Sequence, residues 1–583
     1  MKIQDEKNAR GAVIVLTALL LAVIWIALIF AEAMAEGGSL VDAALYFTKG
    51  LNELHIPKWN AYSLKVLLAC LIIYGFLVSL YYEQKGNYRF REEYGSACWG
   101  NPKRTSRLFR TKKHDPYIIL TENVKVSMNT KALPRLHQIN ANVLVIGGSG
   151  SGKSRSYIMP NILECACSYV ICDPKGELYH TLGGVLEEAG YDITVFNLFE
   201  MQKSDGYNPL KYVKDETDIE TLVTALVNNT NDKNHSAGEK FWEDSEKNLL
   251  KALIAYLYEQ APENEQNFAT LMYMLSHMEV REEDENYKSP IDLLFEDLAY
   301  TDPDSYALRE YKGFRQGAGK TLKSILISLS SRLNGFNLPQ LSRVILNDDM
   351  DFQSLGERKR AIFMLISDND SSFNYLVGMM YLQAFHELYS LADTKYHGSL
   401  PVPVRFMMDE FANTPLPSDF EHILSTCRSR NISINIAVQN MAQLKAIFKE
   451  NSDNVVSNCD SLLYLGTNEA STHEYISKAL GKATIDVKTR NTTKGRNGSS
   501  TTNYQQTGRE LMTPDEVRLL PNDKAILLIR GKRPLIDNKY TLTKHRNYDK
   551  IGSEPYEKCT KHYENRDLSF EIISLSELEE VES

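Results

Sequence analysis

The chain has 583 residues, a formal net charge of −10 and eight cysteines. Its length exceeds one ordinary core and points to roughly three to four units, while the negative sum excludes a protein that coats nucleic acid over its whole exterior, though not one with a local basic channel. No C-x-x-C pair is present and no histidine cluster completes a zinc pattern, so the cysteines read as reduced cytosolic thiols, with Cys70 inside a membrane.

Residues 11–31 carry no charge and as a helix would cross about 30 Å, the thickness of a bilayer core. Residues 64–82 are nearly as apolar, with Lys65 at the edge and Tyr81-Tyr82 suited to the interface. The first run is long for a signal-peptide core and lacks a clear small-x-small end, so residues 1–85 are expected to form a transmembrane hairpin. Lys2, Lys7 and Arg10 precede the first span, and Lys85, Arg89, Arg91, Lys103, Arg104, Arg107, Arg110, Lys112 and Lys113 follow the second. The loop between carries Glu32, Glu36, Asp42 and Glu53 against Lys49 and Lys58. Both termini and nearly all folded mass should then lie in the cytoplasm, beneath the cell (inner) membrane.

Residues 86–214 read as the first part of a nucleotide-binding domain. The buried strand Val143-Leu144-Val145-Ile146 runs into Gly147-Gly148-Ser149-Gly150-Ser151-Gly152-Lys153-Ser154, which satisfies G-x-x-x-x-G-K-[ST]. Glycines let a phosphate chain approach the backbone amides; Lys153 reaches the β- and γ-phosphates of ATP, and the Ser154 hydroxyl ligates Mg²⁺. Pro160 should kink or restart the helix that follows. A second buried strand ends in Asp173-Pro174, and 191–196 supplies another, so strand and helix alternate as in a doubly wound sheet.

From 215 to 333 the pattern is helical without convincing strands, as in Phe241-Trp242, Leu249-Leu250, Leu253-Ile254 and Leu257, which reads as an inserted all-α domain with this stripe as core. Sheet character returns at 361–367 and 404–410, making 334–550 the second part of the nucleotide-binding domain. The strand ending in Asp409-Glu410 offers a carboxylate for the metal shell, Asp409 directly or through water, and a base, Glu410, for the attacking water. Asp173 competes for the metal but lacks an adjacent glutamate and precedes proline, so it is placed with the nucleotide-binding residues behind Asp409. The apolar run 432–438 ends in Gln439-Asn440, where an amide could sense the γ-phosphate, and Arg428 or Arg430 just before it could stabilise the transition state at a neighbouring subunit's site. Residues 488–507, rich in Thr, Asn, Ser and Gly, read as a mobile loop; 525–530 reads as a last strand, and 551–583 as a tail ending in the acidic run 577–582.

Taken in order, Tyr94-Gly95-Ser96-Ala97-x-Trp99, the glycine loop with Pro160-Asn161 downstream, Asp173-Pro174-Lys175-Gly176-Glu177-Leu178, Phe241-Trp242, Asp409-Glu410-Phe411-Ala412-Asn413 and Gln439 resemble the TraG-like coupling proteins of type IV secretion and conjugation. The likeness extends from the paired spans to 509–517. It implies a RecA-like, membrane-anchored ATPase that forms a hexamer and passes single-stranded DNA with a bound relaxase, or protein effectors, into a secretion channel. It also implies that Arg428 rather than Arg430 acts across subunits. Cys98, where the family often has a basic residue, and Asn440, where serine is common, depart from the pattern without touching the phosphate chemistry. Rival readings are a membrane-anchored double-stranded DNA pump of the chromosome-segregation type and a docking scaffold that binds ATP without turning it over. An ABC transporter would need an LSGGQ-like signature, which is absent, and a zinc protease would need H-E-x-x-H, which His386-Glu387-Leu388-Tyr389-Ser390 does not complete.

Overall fold

The computed structural model describes residues 2–36, 39–52, 55–84, 92–111, 116–230, 240–281, 287–367, 372–417, 419–492 and 500–558. The acidic run 577–582, the residues Glu53, Lys85, Arg89, Arg91, Lys112 and Lys113, and the middle of 488–507 lie outside them. The chain divides into one unit of residues 1–96 with 484–506 and a second of 97–483 with 507–583.

The first unit contains helices Lys2–Glu36, Leu40–Asn52 and Ser63–Gln84. Two stretches, Ala12–Glu36 and Ser63–Glu83, are long and apolar enough to cross a membrane. The first extends past residue 31 because Glu32-Ala33-Met34-Ala35-Glu36 contains only strong helix formers. The helices are joined by the Tyr74 hydroxyl, which donates to the Leu16 carbonyl at 2.7 Å. At the other end of the first helix, Glu32 is buried and lies 3.1 Å from His55.

The second unit is built on a nine-stranded sheet. Two short paired strands come first, β1 (Tyr117–Ile119) and β2 (Lys125–Ser127), and the sheet then takes β3 (Val143–Ile146), β4 (Ser168–Asp173), β5 (Asp192–Asn197), β6 (Arg360–Leu365), β7 (Val404–Met408), β8 (Ile432–Val438) and β9 (Ser461–Tyr464). The chain next forms a separate two-stranded pair, β10 (Lys482–Thr492) and β11 (Ser500–Glu510), most of which belongs to the first unit, and the nine-stranded sheet is completed by β12 (Lys524–Ile529) and β13 (Leu535–Asn538). The order across it is β13-β12-β9-β3-β8-β7-β4-β6-β5, parallel from β9 to β5, with β12 antiparallel to both its neighbours. A parallel sheet is covered on both faces, which is why β3, β4, β6, β7 and β8 are buried at every position and read as predominantly apolar runs, broken only by a few buried polar side chains such as Arg405 in β7 and Asn435 in β8. Side chains alternate between two cores: Leu144, Ile146, Val170 and Cys172 enter one, Val143, Val145, Tyr169 and Ile171 the other.

The chain between the adjacent strands β5 and β6 holds the helical insertion. Its helices between 216 and 332 bury Leu249, Leu250, Leu253, Ile254 and Leu257 in the same core as one sheet face. Phe241 and Trp242 depart from the expected core stripe: they are exposed, because they sit in the first turn of helix Lys240–Gln260, ahead of its packed face.

The expected loop 488–507 is corrected by β10 and β11, whose arms run through Lys488–Thr492 and Ser500–Thr507. Threonine's branched side chain suits an extended backbone, and the low apolar content marks an exposed pair of strands, not an irregular segment. The Tyr94-Gly95-Ser96-Ala97 stretch meets β10 in extended fashion: Thr484 N–H donates to the Gly95 carbonyl at 3.1 Å, and Ala97 N–H to that of Lys482 at 2.9 Å.

Pro160 restarts the helix after the glycine loop. Ser154–Ile158 form a π-helical turn closed by the Met159 N–H on the Ser154 carbonyl, and α-helix Met159–Leu163 begins with the proline in its first turn. Asn161 acts there as a substitute peptide. Its Oδ1 accepts the Ile119 N–H at 3.0 Å, its Nδ2 donates to the Ile119 carbonyl at 2.8 Å, and the buried Arg405 guanidinium donates to the same Oδ1 at 3.1 Å. Asn161→Ala should strip partners from three buried groups and destabilise the chain by roughly 2–4 kcal/mol, read as a lower urea midpoint; an unchanged midpoint would show that these bonds are individually dispensable.

Candidate nucleotide site

β3 lies between β8 and β9, and the glycine loop leaves its carboxyl end tied to both neighbours. Gly147 N–H donates to the Val438 carbonyl at 3.0 Å and Gly148 N–H to that of Gly466 at 2.8 Å. A Cβ at Gly147 would fall 2.3 Å from Ser151 Oγ, and Gly152 has a φ of +90°, so neither position accepts an ordinary side chain without strain. Lys153 is buried, and its ammonium donates to the Gly147 carbonyl at 2.8 Å and that of Gly148 at 3.4 Å. Burial holds this ammonium below the usual lysine range, with Asp409 and Glu410 pulling the other way.

The Ser154 hydroxyl donates to Asp409 Oδ2 at 2.7 Å. The glycine loop follows β3, Asp409 and Glu410 follow β7, Gln439 follows β8 and Asp173 ends β4, so four neighbouring strands bring their chemistry to one edge. The register pairs Cys172 with Met408, which puts Asp173 beside Asp409. Burial raises the Asp409 pKa, opposed by the Ser154 hydroxyl and Lys153. Burial first, and the Asp409 charge after it, push Asp173 up to about 6, although the backbone N–H groups of Tyr179, Lys175 and Leu178 pull it down. Asp173 also accepts the Tyr179 N–H at 2.8 Å, fixing the first turn of helix Glu177–Glu188. Gln439 is held through its N–H, which donates to the Gln443 side chain at 2.8 Å, and Asn440 caps the helix after it by accepting the Gln443 N–H.

Residues 103–565 match the family model described as type IV secretory system conjugative DNA transfer. The chain belongs to that family. Its relatives include VirD4 of Rhizobium radiobacter, 24% identical over 406 residues, 67% of this chain and 55% of that one. TraG of Escherichia coli is 25% identical over 418 residues, 67% and 63% of the two chains. The chain thus spans between about half and two thirds of the length of these curated relatives. The plasmid coupling protein TrwB in complex with the non-hydrolysable ATP analogue ADPNP superposes with a TM-score of 0.54 at 14% identity, covering 78% of this chain and 96% of that one. TrwB in complex with ADP and Mg²⁺ gives 0.53 at 16% identity, with 77% and 96% covered. The RecA-like fold is therefore shared.

In this family member Arg428 does not join the other residues. It lies on the turn Cys427–Arg430 that enters β8, whereas the loop binds at the far end of that seven-residue strand, roughly 20 Å away. Arg430 is tied down: its guanidinium donates to Asp393 at 2.6 and 3.1 Å and lies 4.2 Å over the Tyr389 ring. Arg428 makes no ion pair among the described residues. Gly466 and Lys539, both bonded to the loop, carried no signal in the sequence because they reach it from strands far along the chain.

The folded chain keeps the Asp173 proton over a window in which the unfolded chain, at 3.8, has released it. Stability from this group therefore falls as pH rises from about 4 to about 6, by about 3 kcal/mol in all. Asp173→Asn should gain on the native protein across that window in thermal unfolding; parallel curves would rule the shift out.

Proposed function

We propose that this chain is an ATP-driven coupling protein: it recruits conjugative substrate, single-stranded DNA with its bound relaxase, to a type IV secretion channel and helps to translocate it. The observation that carries the reading is the Ser154–Asp409 contact, which joins the glycine loop to the Asp-Glu strand inside a member of the conjugative transfer family. Helices Lys2–Glu36 and Ser63–Gln84 anchor it in the cell membrane, with both termini and the sheet on the cytoplasmic side where the basic flanks lie. The nucleotide-binding domain, 86–214 and 334–550, then carries the all-α insertion 215–333, packed into the core on one face of its sheet.

ATP and Mg²⁺ suit the residues present. Among the described residues no three His, Cys, Asp or Glu side chains cluster as a metal cage. Mg²⁺ does not require one, since it takes one or two protein oxygens together with phosphates and water. A hydroxyl and a buried carboxylate are such a pair. When bound, the ion supplies charge neutralisation on the phosphates.

Lys153 exchanges the Gly147 carbonyl for phosphate oxygens, and Asp409 holds the metal's ligands in place through Ser154 or a water molecule. Glu410 orients the attacking water and takes its proton, and the Gln439 amide registers the terminal phosphate from between the two strands. Arg428 is a strand's length from its own loop, so it serves the site of a neighbouring copy in a homo-hexameric ring.

Lys153→Ala should abolish ATP turnover and DNA transfer while the protein still inserts in the membrane. Glu410→Gln should keep ATP binding and lose about 10²–10⁴-fold in turnover together with transfer; a docking scaffold would transfer unimpaired. If Arg428 acts across subunits, mixing Lys153→Ala and Arg428→Ala chains should recover part of the ATPase that each lacks, and no recovery at any ratio would refute that role.

A further inference from the structure

Lys539 directly follows β13, and the chemistry above makes no use of it. β13 is antiparallel to β12 and β12 to β9, so β13 points the same way as β9 and β3 and delivers its last residues to the edge where the glycine loop lies. There the half-buried Lys539 ammonium donates to the Ser151 carbonyl at 2.8 Å. Its own N–H donates to the Asp523 carbonyl at 2.8 Å, so the lysine is anchored at its base.

The described chain has no cis peptide bond, and in a trans peptide the carbonyl and the N–H point to opposite sides. Holding the Ser151 carbonyl therefore turns the Gly152 N–H away from Lys539. The Ser151 hydroxyl is buried with no hydrogen-bond partner among the described residues, an expensive state for a polar group unless something fills it. Ser151 and Gly152 thus sit in a glycine loop whose form suits an anion, with one peptide locked from outside and one hydroxyl unspent.

We propose that Lys539 is a positioning residue of the phosphate cradle: by gripping the Ser151 carbonyl it fixes the 151–152 peptide so that the Gly152 N–H and the Ser151 hydroxyl are presented to the polyphosphate of a nucleoside triphosphate. This rests on the nucleotide reading of the site. Loss of the grip leaves Lys153, Ser154, Asp409 and Glu410 in place, so it weakens binding and spares the chemical step.

The test uses the full chain in detergent, with ADPNP and Mg²⁺ for affinity and ATP for turnover. Lys539→Met should raise both the Kd for ADPNP and the KM for ATP by about tenfold, with kcat within about twofold, and Lys539→Arg should restore most of the loss. Unchanged affinity in Lys539→Met, or a fall in kcat that Lys539→Arg does not rescue, overturns the proposal while native-chain binding, abolished in Lys153→Ala, leaves the nucleotide reading standing. Failure of the native chain to bind ADPNP overturns both.

Discussion

A half-buried hydroxyl of the glycine loop and a buried carboxylate 255 residues later share one hydrogen bond of 2.7 Å. A buried carboxylate is costly unless its oxygens are satisfied, so Asp409 ties the end of β7 to the start of the helix after the loop. The bond depends on strand order and register. β8 must stand between β3 and β7, Ile146 must lie opposite Val438, and Met408 opposite Ile436, so that all three strands finish at one edge. A slip of one residue in β7 would send Asp409 to the wrong face and exchange the side chains of the two cores. The long helical excursion is compatible with this because it leaves between β5 and β6, at the edge of the sheet farthest from β13, and changes no pairing near the loop.

The helix that begins at Ser154 is held from below by a second arrangement, and a less expected one. Arg405 is buried yet its acceptors among the described residues are all neutral: Asn161 Oδ1 at 3.1 Å, Asn435 Oδ1 at 2.8 Å and the Tyr157 hydroxyl at 3.4 Å. A guanidinium cannot shed its proton to escape burial, so its cost is permanent and its contacts must stay made. Tyr157 and Asn161 are the two helix residues in this set, one in the π-helical turn and one just past Pro160. Any rotation of that helix relative to β7 and β8 would therefore stretch bonds to a buried charge. The loop is stiff at both its ends: Gly147 and Gly148 are pinned by neighbouring strands, and the helix after Ser154 by Arg405.

How much the sequence revealed depends on range. The glycine loop, the Asp409-Glu410 pair and Gln439 were legible because each stands at the end of a short apolar run, and a fully buried parallel strand announces itself in one dimension. The spans were legible for the same reason. The Pro160-Asn161 pair was visible as a pattern but not as a mechanism, since its partners Ile119 and Arg405 come from elsewhere in the chain. Lys539 left no local trace at all, because its bond to Ser151 closes 388 residues of chain. β10 and β11 misled in the opposite direction: their polar composition suits a loop, yet they pair with each other, and exposed strands need no apolar face where no core covers them. Arg428 and Arg430 were indistinguishable by spacing, and only the contacts of Arg430 to Asp393 and Tyr389 set it apart from Arg428, which has no ion pair among the described residues.

Glu410 shows how the scaffold sustains its least comfortable residue. Its backbone is left-handed, φ +56° and ψ 44°, which costs a side-chain-bearing residue about 1–2 kcal/mol. That conformation turns the chain out of β7 immediately after Asp409, so the two carboxylates do not alternate to opposite faces as successive strand residues would. The next residue enforces the turn. Phe411 is buried, with its ring 5.4 Å from that of Phe420 and 6.0 Å from that of Phe448. These aromatics anchor the short 3₁₀ turn Phe411–Asn413 against helices Phe420–Thr426 and Met441–Phe448, and the second of those starts just after Gln439. Packing energy of the aromatic cluster thus offsets the local strain, holding the turn that carries Glu410 against the two helices that flank it.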